Sequence, residues 1–192
     1  QDTVRLADRI VANNPEIRDY LEIPEDRFQC VLNGVDWQLF HNSKNLLEPS
    51  DVANIPRPRV GFVGTLSSLN DVGLLNAVAR EIPECEVVVV GPTEGANKPL
   101  HPRIHTLGRR PYDAVPSYVS SFDVCVSIYC QVPSTPYGDS QKIKEYLAAG
   151  KLVVASESRN IRTESVHIRT AKNPGEFVCM VRQAIEQSID EE

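Results

Sequence analysis

Lys142, Lys144 and Glu145 sit close together in the segment Pro136-Tyr-Gly-Asp-Ser-Gln-Lys-Ile-Lys-Glu-Tyr-Leu-Ala-Ala-Gly-Lys-Leu-Val-Val-Ala155. The pattern predicts a helix whose first turns carry these three side chains, which ends at a glycine and runs into a buried strand. A carboxylate so placed can accept two hydroxyls of a ribose, while a nearby ammonium and the helix N-terminus face a diphosphate. The plainer alternative is an amphipathic helix that packs Tyr146, Leu147 and Ala149 on a sheet and leaves its lysines in water.

Two loops could complete such a site. Gly64-Thr65-Leu66 follows a short apolar strand, where a missing side chain lets backbone approach a phosphate and the next helix points N–H groups at it. The sequence departs from a Gly-x-Gly-x-x-Gly fingerprint, and Gly91-Pro92 stands where an acid would hold the ribose of NAD, which disfavours that cofactor. The second loop is Leu107-Gly-Arg-Arg-Pro-Tyr112. Arg109 and Arg110 place cationic forks at a strand end, and a surface pair bridged to Asp113 is the alternative.

Other chemistry is disfavoured. His41, His101, His105 and His167 are dispersed without partners at ligand spacing, so no metal site is expected. Asp123 reads as a strand-start carboxylate capping nearby N–H groups, and Ser127 and Ser134 lack a Gly-x-Ser-x-Gly elbow. Cys30, Cys85, Cys125, Cys130 and Cys179 are odd in number and scattered; most are expected as small buried hydrophobes in a reducing compartment. A net charge of −6 argues against a general nucleic-acid surface, so any anion site must be local. No apolar run approaches the roughly 20 residues of a membrane span.

The elements that must hold these residues alternate. Strands are expected at Arg59–Val63, Glu86–Gly91, Ile104–Leu107, Asp123–Ile128, Leu152–Ala155 and Val166–Ile168, and helices at Asp71–Glu81, Tyr112–Ser121, Lys142–Ala149 and Pro174–Ile189. Val72, Leu75, Val78 and Ala79 form one buried helix face, and Phe177, Val181 and Ile185 another. Val87 to Val90 reads as a strand covered on both sides. About six strands in this alternation give an α/β, Rossmann-like, doubly wound parallel sheet. Residues before about 56 fall outside the repeat: Val4–Ala12 is a strand or helix, Pro15–Leu21 a helix, and Arg27–Leu32 a strand entering an Asn33-Gly34 turn. With 192 residues, 41% hydrophobic and 24% charged, the chain suffices for one good core with some left over.

Lys-x-x-Glu-Tyr-Leu-Ala-Ala-Gly-Lys-x-Val-Val resembles the nucleotide-sugar site of GT-B glycosyltransferases, especially those similar to family 4, the glycosyl transferases group 1. Ala7-Asp-Arg-Ile-Val-Ala12 and Asn33-Gly-Val-Asp-Trp-Gln-Leu-Phe40 are similar to segments near the end of that family's N-terminal domain and at its interdomain link. The resemblance covers almost the whole chain, in the family's order. It implies that residues 1–55 are the end of an N-terminal domain and its link, and that 56–192 are the C-terminal half of a GT-B fold. It further implies a missing N-terminal domain that carries most acceptor contacts. A UDP- or GDP-sugar would be the partner, without cofactor or metal, for sugar transfer in polysaccharide or glycoconjugate synthesis. Donor binding falls to Gly64, Thr65, Arg109, Arg110, Lys142 and Glu145, with no catalytic residue on this chain and little activity expected of the fragment alone. Gly108 to Arg110 would flank the base, and the place of action would be the cytoplasm or the inner membrane face. Three departures stand out: Tyr137 replaces the family's first acid, Ser140 a common proline, and Ser67–Asp71 lacks the family's arginine and lysine. A GT-B-like sugar-nucleotide epimerase or a non-catalytic α/β interaction domain are the alternatives.

Overall fold

A computed structural model describes residues 2–93, 95, 99–130, 140–157, 161 and 165–190. Ser134 and Tyr137 lie outside the described residues. In chain order come α1 (Asp2–Leu6), β1 (Ile10–Ala12), α2 (Glu16–Tyr20) and β2 (Phe28–Cys30), with β1 and β2 paired in parallel as a small sheet of their own. The stretch Val4–Ala12 is therefore a helix end followed by a strand. Arg27 secures the junction by donating to the carbonyls of Val4 and Ala7.

Asn33-Gly34 does not form the expected turn and runs without regular structure. An Asn-Gly hairpin needs an antiparallel partner strand, and β2 pairs in parallel; the Asn33 carbonyl instead accepts from Lys144 Nζ at 2.7 Å. Next come α3 (Trp37–His41), capped by the Asp36 carboxylate on Leu39 N at 3.0 Å, and α4 (Ser50–Ala53).

The main sheet follows. Its strands are β3 (Arg59–Val63), β4 (Glu86–Val90), β5 (Ile104–Gly108), β6 (Val124–Ser127), β7 (Val153–Ser156) and β8 (Ile168–Ala171). They lie in the order β5-β4-β3-β6-β7-β8, every pair parallel. The order reverses between β3 and β6, the switch point of a doubly wound sheet and the place where such sheets bind ligands. The expected β8 at Val166 begins two positions later: Val166 is 90% exposed and Ile168 is the first paired residue.

Helices cover both faces. α5 (Val72–Glu81) and α8 (Pro174–Asp190) bury Leu75, Val78, Phe177 and Val181 on the side of Val87 and Val89. α6 (Val115–Ser120) and α7 (Gln141–Ala148) share the other side with Val88, Val90, Phe122 and Tyr146. The period-2 division of β4 between two cores is why its sequence is apolar at every position from Val87 to Val90. Phe40, Val52 and Ile55 belong to the second core, so the core of the large sheet reaches back well before β3. Gly61 is obligatory in β3, since a Cβ there would lie 1.9 Å from the Phe122 ring. Pro116 sits in the first turn of α6, where its missing N–H has no partner to lose, after a 3-10 turn at Tyr112–Ala114.

All five cysteines are free thiols, but only Cys85 and Cys125 are buried, and burial pushes each up to about 12. Cys30 and Cys179 are exposed, against expectation, because β2 belongs to an uncovered two-stranded sheet and Cys179 faces outward from α8.

Candidate functional site

The C-terminal ends of β3, β4 and β5 are made of bare backbone. Gly64 and Gly91 have φ of 135° and 144°, a region that disfavours side chains, and a Cβ on Gly91 would stand 2.2 Å from the Gly64 carbonyl oxygen. Gly64 N donates to Val90 O, and Gly91 N to Gly108 O, both at 2.9 Å. Beside them, Gly91, Pro92, Thr93, Thr106, Leu107, Gly108 and Arg109 line a hollow of about 500 Å³. Thr65 is exposed on the rim.

The helix after this turn does not supply the expected N–H donors. α5 begins at Val72, and the Asp71 carboxylate already caps it through Gly73 N at 3.0 Å. An anion there would meet like charge. The intervening loop is tied down by Asn70, whose Oδ1 accepts from Ser67 N at 2.9 Å.

Lys142 and Glu145 lie on α7, one turn apart, beside the switch point. The Lys142 ammonium sits over the Phe62 ring at 4.3 Å and the Tyr129 ring at 5.1 Å. A Cβ added to Gly64 would approach it to 3.1 Å, so this cation borders the bare glycine turn. Burial pushes Lys142 down to about 8, although Glu145 pulls it the other way. Among the described residues the ammonium makes no ion pair. The Glu145 carboxylate is buried at 7% exposure. Tyr146, next in sequence and fully buried, anchors α7 to the sheet through its Oη, which accepts from Val63 N at 2.8 Å. Lys144 points the other way, to Asn33.

The two arginines part company. Arg110 is engaged: Nη2 donates to Asp51 Oδ2 at 2.6 Å and Nε to Tyr118 Oη at 2.8 Å, while Nη1 reaches the Arg109 carbonyl at 3.0 Å. Burial alone would raise Asp51, but the hydrogen bonds it accepts from Arg110 and from Tyr118 Oη outweigh it and hold its carboxyl below the usual range. The partner is thus Asp51 on α4, not the neighbouring Asp113. Arg109 is exposed and lines the large hollow. The structure therefore brings Gly64, Arg109, Lys142 and Glu145 to one edge of the sheet and turns Arg110 into a brace for it.

Asp123 caps as expected, accepting from Arg59 N and from Arg57. His105 meets Glu86 at 2.7 Å across neighbouring strands, yet no group of three or more His, Cys, Asp or Glu suited to a metal occurs among the described residues. Sequence reasoning overlooked Tyr112 and Gln141, which both contact Glu145, and Phe62 and Tyr129, which frame Lys142. The i, i+4 spacing of Gln141 and Glu145 was the one visible signal.

Residues 57–187 match the family model of glycosyl transferases group 1. The chain is 24% identical over 203 aligned positions to TuaH of Bacillus subtilis (strain 168), a protein named for glycosyl transfer in teichuronic acid biosynthesis, covering 98% of the chain and 51% of TuaH. Among solved structures, it superposes on Anabaena Alr3699/HepE, determined with UDP and glucose, with a TM-score of 0.72 at 20% identity over 97% of the chain and 56% of HepE. AviGT4, a glycosyltransferase involved in Avilamycin A biosynthesis, gives 0.61 at 12% identity over 92% of the chain and 53% of AviGT4. These likenesses show a shared fold, and the chain spans about half the length of the relatives it matches.

Proposed function

Because the chain belongs to the glycosyl transferases group 1 family, we propose that it is the donor-binding part of a glycosyltransferase, holding a nucleoside diphosphate sugar at the C-terminal edge of its main sheet. The carrying observation is the placement of a Lys142 ammonium, without an ion pair among the described residues, and a buried Glu145 carboxylate, one turn apart on α7 beside the bare Gly64 turn. That set matches the two ends of a nucleoside diphosphate: anion for cation, hydroxyls for carboxylate. The base would enter the hollow at Gly91–Thr93 and Thr106–Arg109, where uncharged residues from Gly91 to Gly108 suit a flat heterocycle and the Arg109 guanidinium stands at the edge. HepE was solved with UDP, which favours a uridine donor.

In the transfer reaction, negative charge grows on the diphosphate as the sugar departs. A desolvated ammonium that stabilises this charge more than the bound ground state lowers the barrier. Lys142 fills that role, with Arg109 reaching from the exposed rim and Thr65 lining it; Arg110 positions the arginine loop. Acceptor contacts would come from an N-terminal domain of the whole protein, of which residues 1–55 are the last part and the link. The relation to TuaH supports a role in polysaccharide synthesis. No helix among the described residues is long and apolar enough to cross a membrane, and the proposed setting is the cytoplasm or the inner face of a membrane.

Titration calorimetry of the chain against UDP, GDP and ADP, at about 0.1 mM protein to suit weak binding, tests the reading. Saturable heat with UDP or GDP is expected; none with any nucleoside diphosphate would remove the donor-site reading.

A further inference from the structure

The two oxygens of the Glu145 carboxylate are treated differently. Tyr112 Oη and Gln141 Nε2 both donate to Oε1, each at 3.1 Å. Among the described residues, Oε2 accepts no hydrogen bond. Gln141 reaches Glu145 from one turn earlier on α7, whereas Tyr112 comes from the turn that follows the arginine loop. The phenol is itself fixed from behind: its ring meets the edge of Phe40 at 6.0 Å and 64°, and Phe40 is fully buried. Burial, followed by the facing carboxylate, pushes the Tyr112 phenol up, so its O–H remains a donor throughout the neutral range.

We propose that Tyr112 and Gln141 are positioning residues that fix the Glu145 carboxylate through Oε1 and leave Oε2, with both its lone pairs, for the vicinal hydroxyls of a bound ribose. This rests on the reading of Glu145 as the ribose acceptor. A carboxylate held by two neutral donors on one oxygen cannot rotate that oxygen into the ligand without losing both bonds, so the other oxygen is presented at no cost when the nucleotide arrives. The donors come from two elements, which makes the orientation depend on how the arginine loop sits on α7.

The test is calorimetry on the whole chain with UDP and GDP and with their 2′,3′-dideoxy analogues, for the wild type, Glu145→Gln, Tyr112→Phe and Tyr112→Phe/Gln141→Leu. Tyr112→Phe should lower ribonucleotide affinity about three- to tenfold, the loss of one modest hydrogen bond, and the double variant further. Affinity for the dideoxy analogues should stay unchanged in every variant, a pattern that general destabilisation would not give. Wild-type ribonucleotide affinity in Tyr112→Phe, tighter binding, or equal losses for both ligand classes would overturn the inference. If wild type and Glu145→Gln differ on ribonucleotides alone while Tyr112→Phe behaves as wild type, only the positioning role falls. If wild type binds neither nucleotide, or does not distinguish ribo from dideoxy forms, the ribose reading falls and takes this inference with it.

Discussion

Lys142 carries a conflict between stability and use. Its ammonium is held against two aromatic faces without an ion pair among the described residues, and burial brings it from 10.5 to about 8. The folded state therefore disfavours the charge relative to the unfolded chain. Below about pH 8 that penalty is fully present; as pH rises from about 8 toward 10.5 the unfolded chain binds the extra proton, and stability increases. Lys142→Met, which keeps contact with both rings and removes the charge, should stabilise the protein at pH 7 by about 0.5–2 kcal/mol in thermal denaturation. The same variant should abolish the diphosphate contribution to binding while leaving nucleoside affinity intact. Because a bound diphosphate favours the protonated amine, wild-type UDP affinity should fall as pH is raised through about 8, and the variant's should not follow. Calorimetry across pH 6.5–9.5 separates the two. Lys142 and Glu145 were legible in the sequence because their spacing on one helix is local information. The partners were not: Asp51 lies 59 residues from Arg110, and Tyr112 lies 33 from Glu145. Proximity of that kind is created only by the sheet.

At the scale of elements, α7 is a lever fixed at three points. Tyr146 Oη meets Val63 N at the end of β3, Lys144 Nζ meets the Asn33 carbonyl, and Lys151 beyond the helix donates to the Ser120 and Phe122 carbonyls at 2.8 and 2.7 Å. The last pair satisfies carbonyls at the end of α6, where a helix leaves acceptors open and favours a cation. Tyr146→Phe removes only the hydroxyl, leaving the Val63 N–H without it at a site where the phenol is fully buried. A cost of about 1–3 kcal/mol in chemical denaturation is expected. Nucleotide affinity should weaken as well, since Val63 precedes the Gly64 turn. The alternation of strands and helices was readable from residue 59 onward, because β4 buries both faces and α5 and α8 show one apolar face each. Before residue 56 the reading was weaker for a physical reason. Strands of three residues in an uncovered pair carry almost no periodicity, and Asn33-Gly34 has turn chemistry but lies where the parallel β1–β2 pairing demands no turn.

On the scale of the whole molecule, the question is where the folding unit begins. The repeat of the sheet suggests residue 56, but the packing places the limit earlier. Phe40, Val52 and Ile55 are all buried in the core between the sheet and α6–α7. Arg59, 3% exposed at the start of β3, is neutralised by Glu48 and donates to the Ile55 carbonyl at 2.7 Å. Removing residues 1–55 would take away these three buried side chains, each worth about 1.5–3 kcal/mol of burial, and bare the core surface they cover. It would also leave a buried guanidinium without its carboxylate, a defect that costs about 3–5 kcal/mol. Together these losses rival the roughly 5–15 kcal/mol that holds a domain folded. The β1–β2 pair contributes differently: Val11 is 63% exposed and Cys30 is exposed too, so that sheet leans little on the main core. A chain starting at Asn33 keeps Phe40, Glu48, Asp51 and the carbonyl that Lys144 holds. It should unfold cooperatively and bind UDP or GDP as the whole chain does. A chain starting at Pro56 should lose the cooperative transition in thermal melts followed by circular dichroism. Equal stability of the two truncations would place the boundary at the sheet after all, and would make the Arg110–Asp51 brace dispensable for folding.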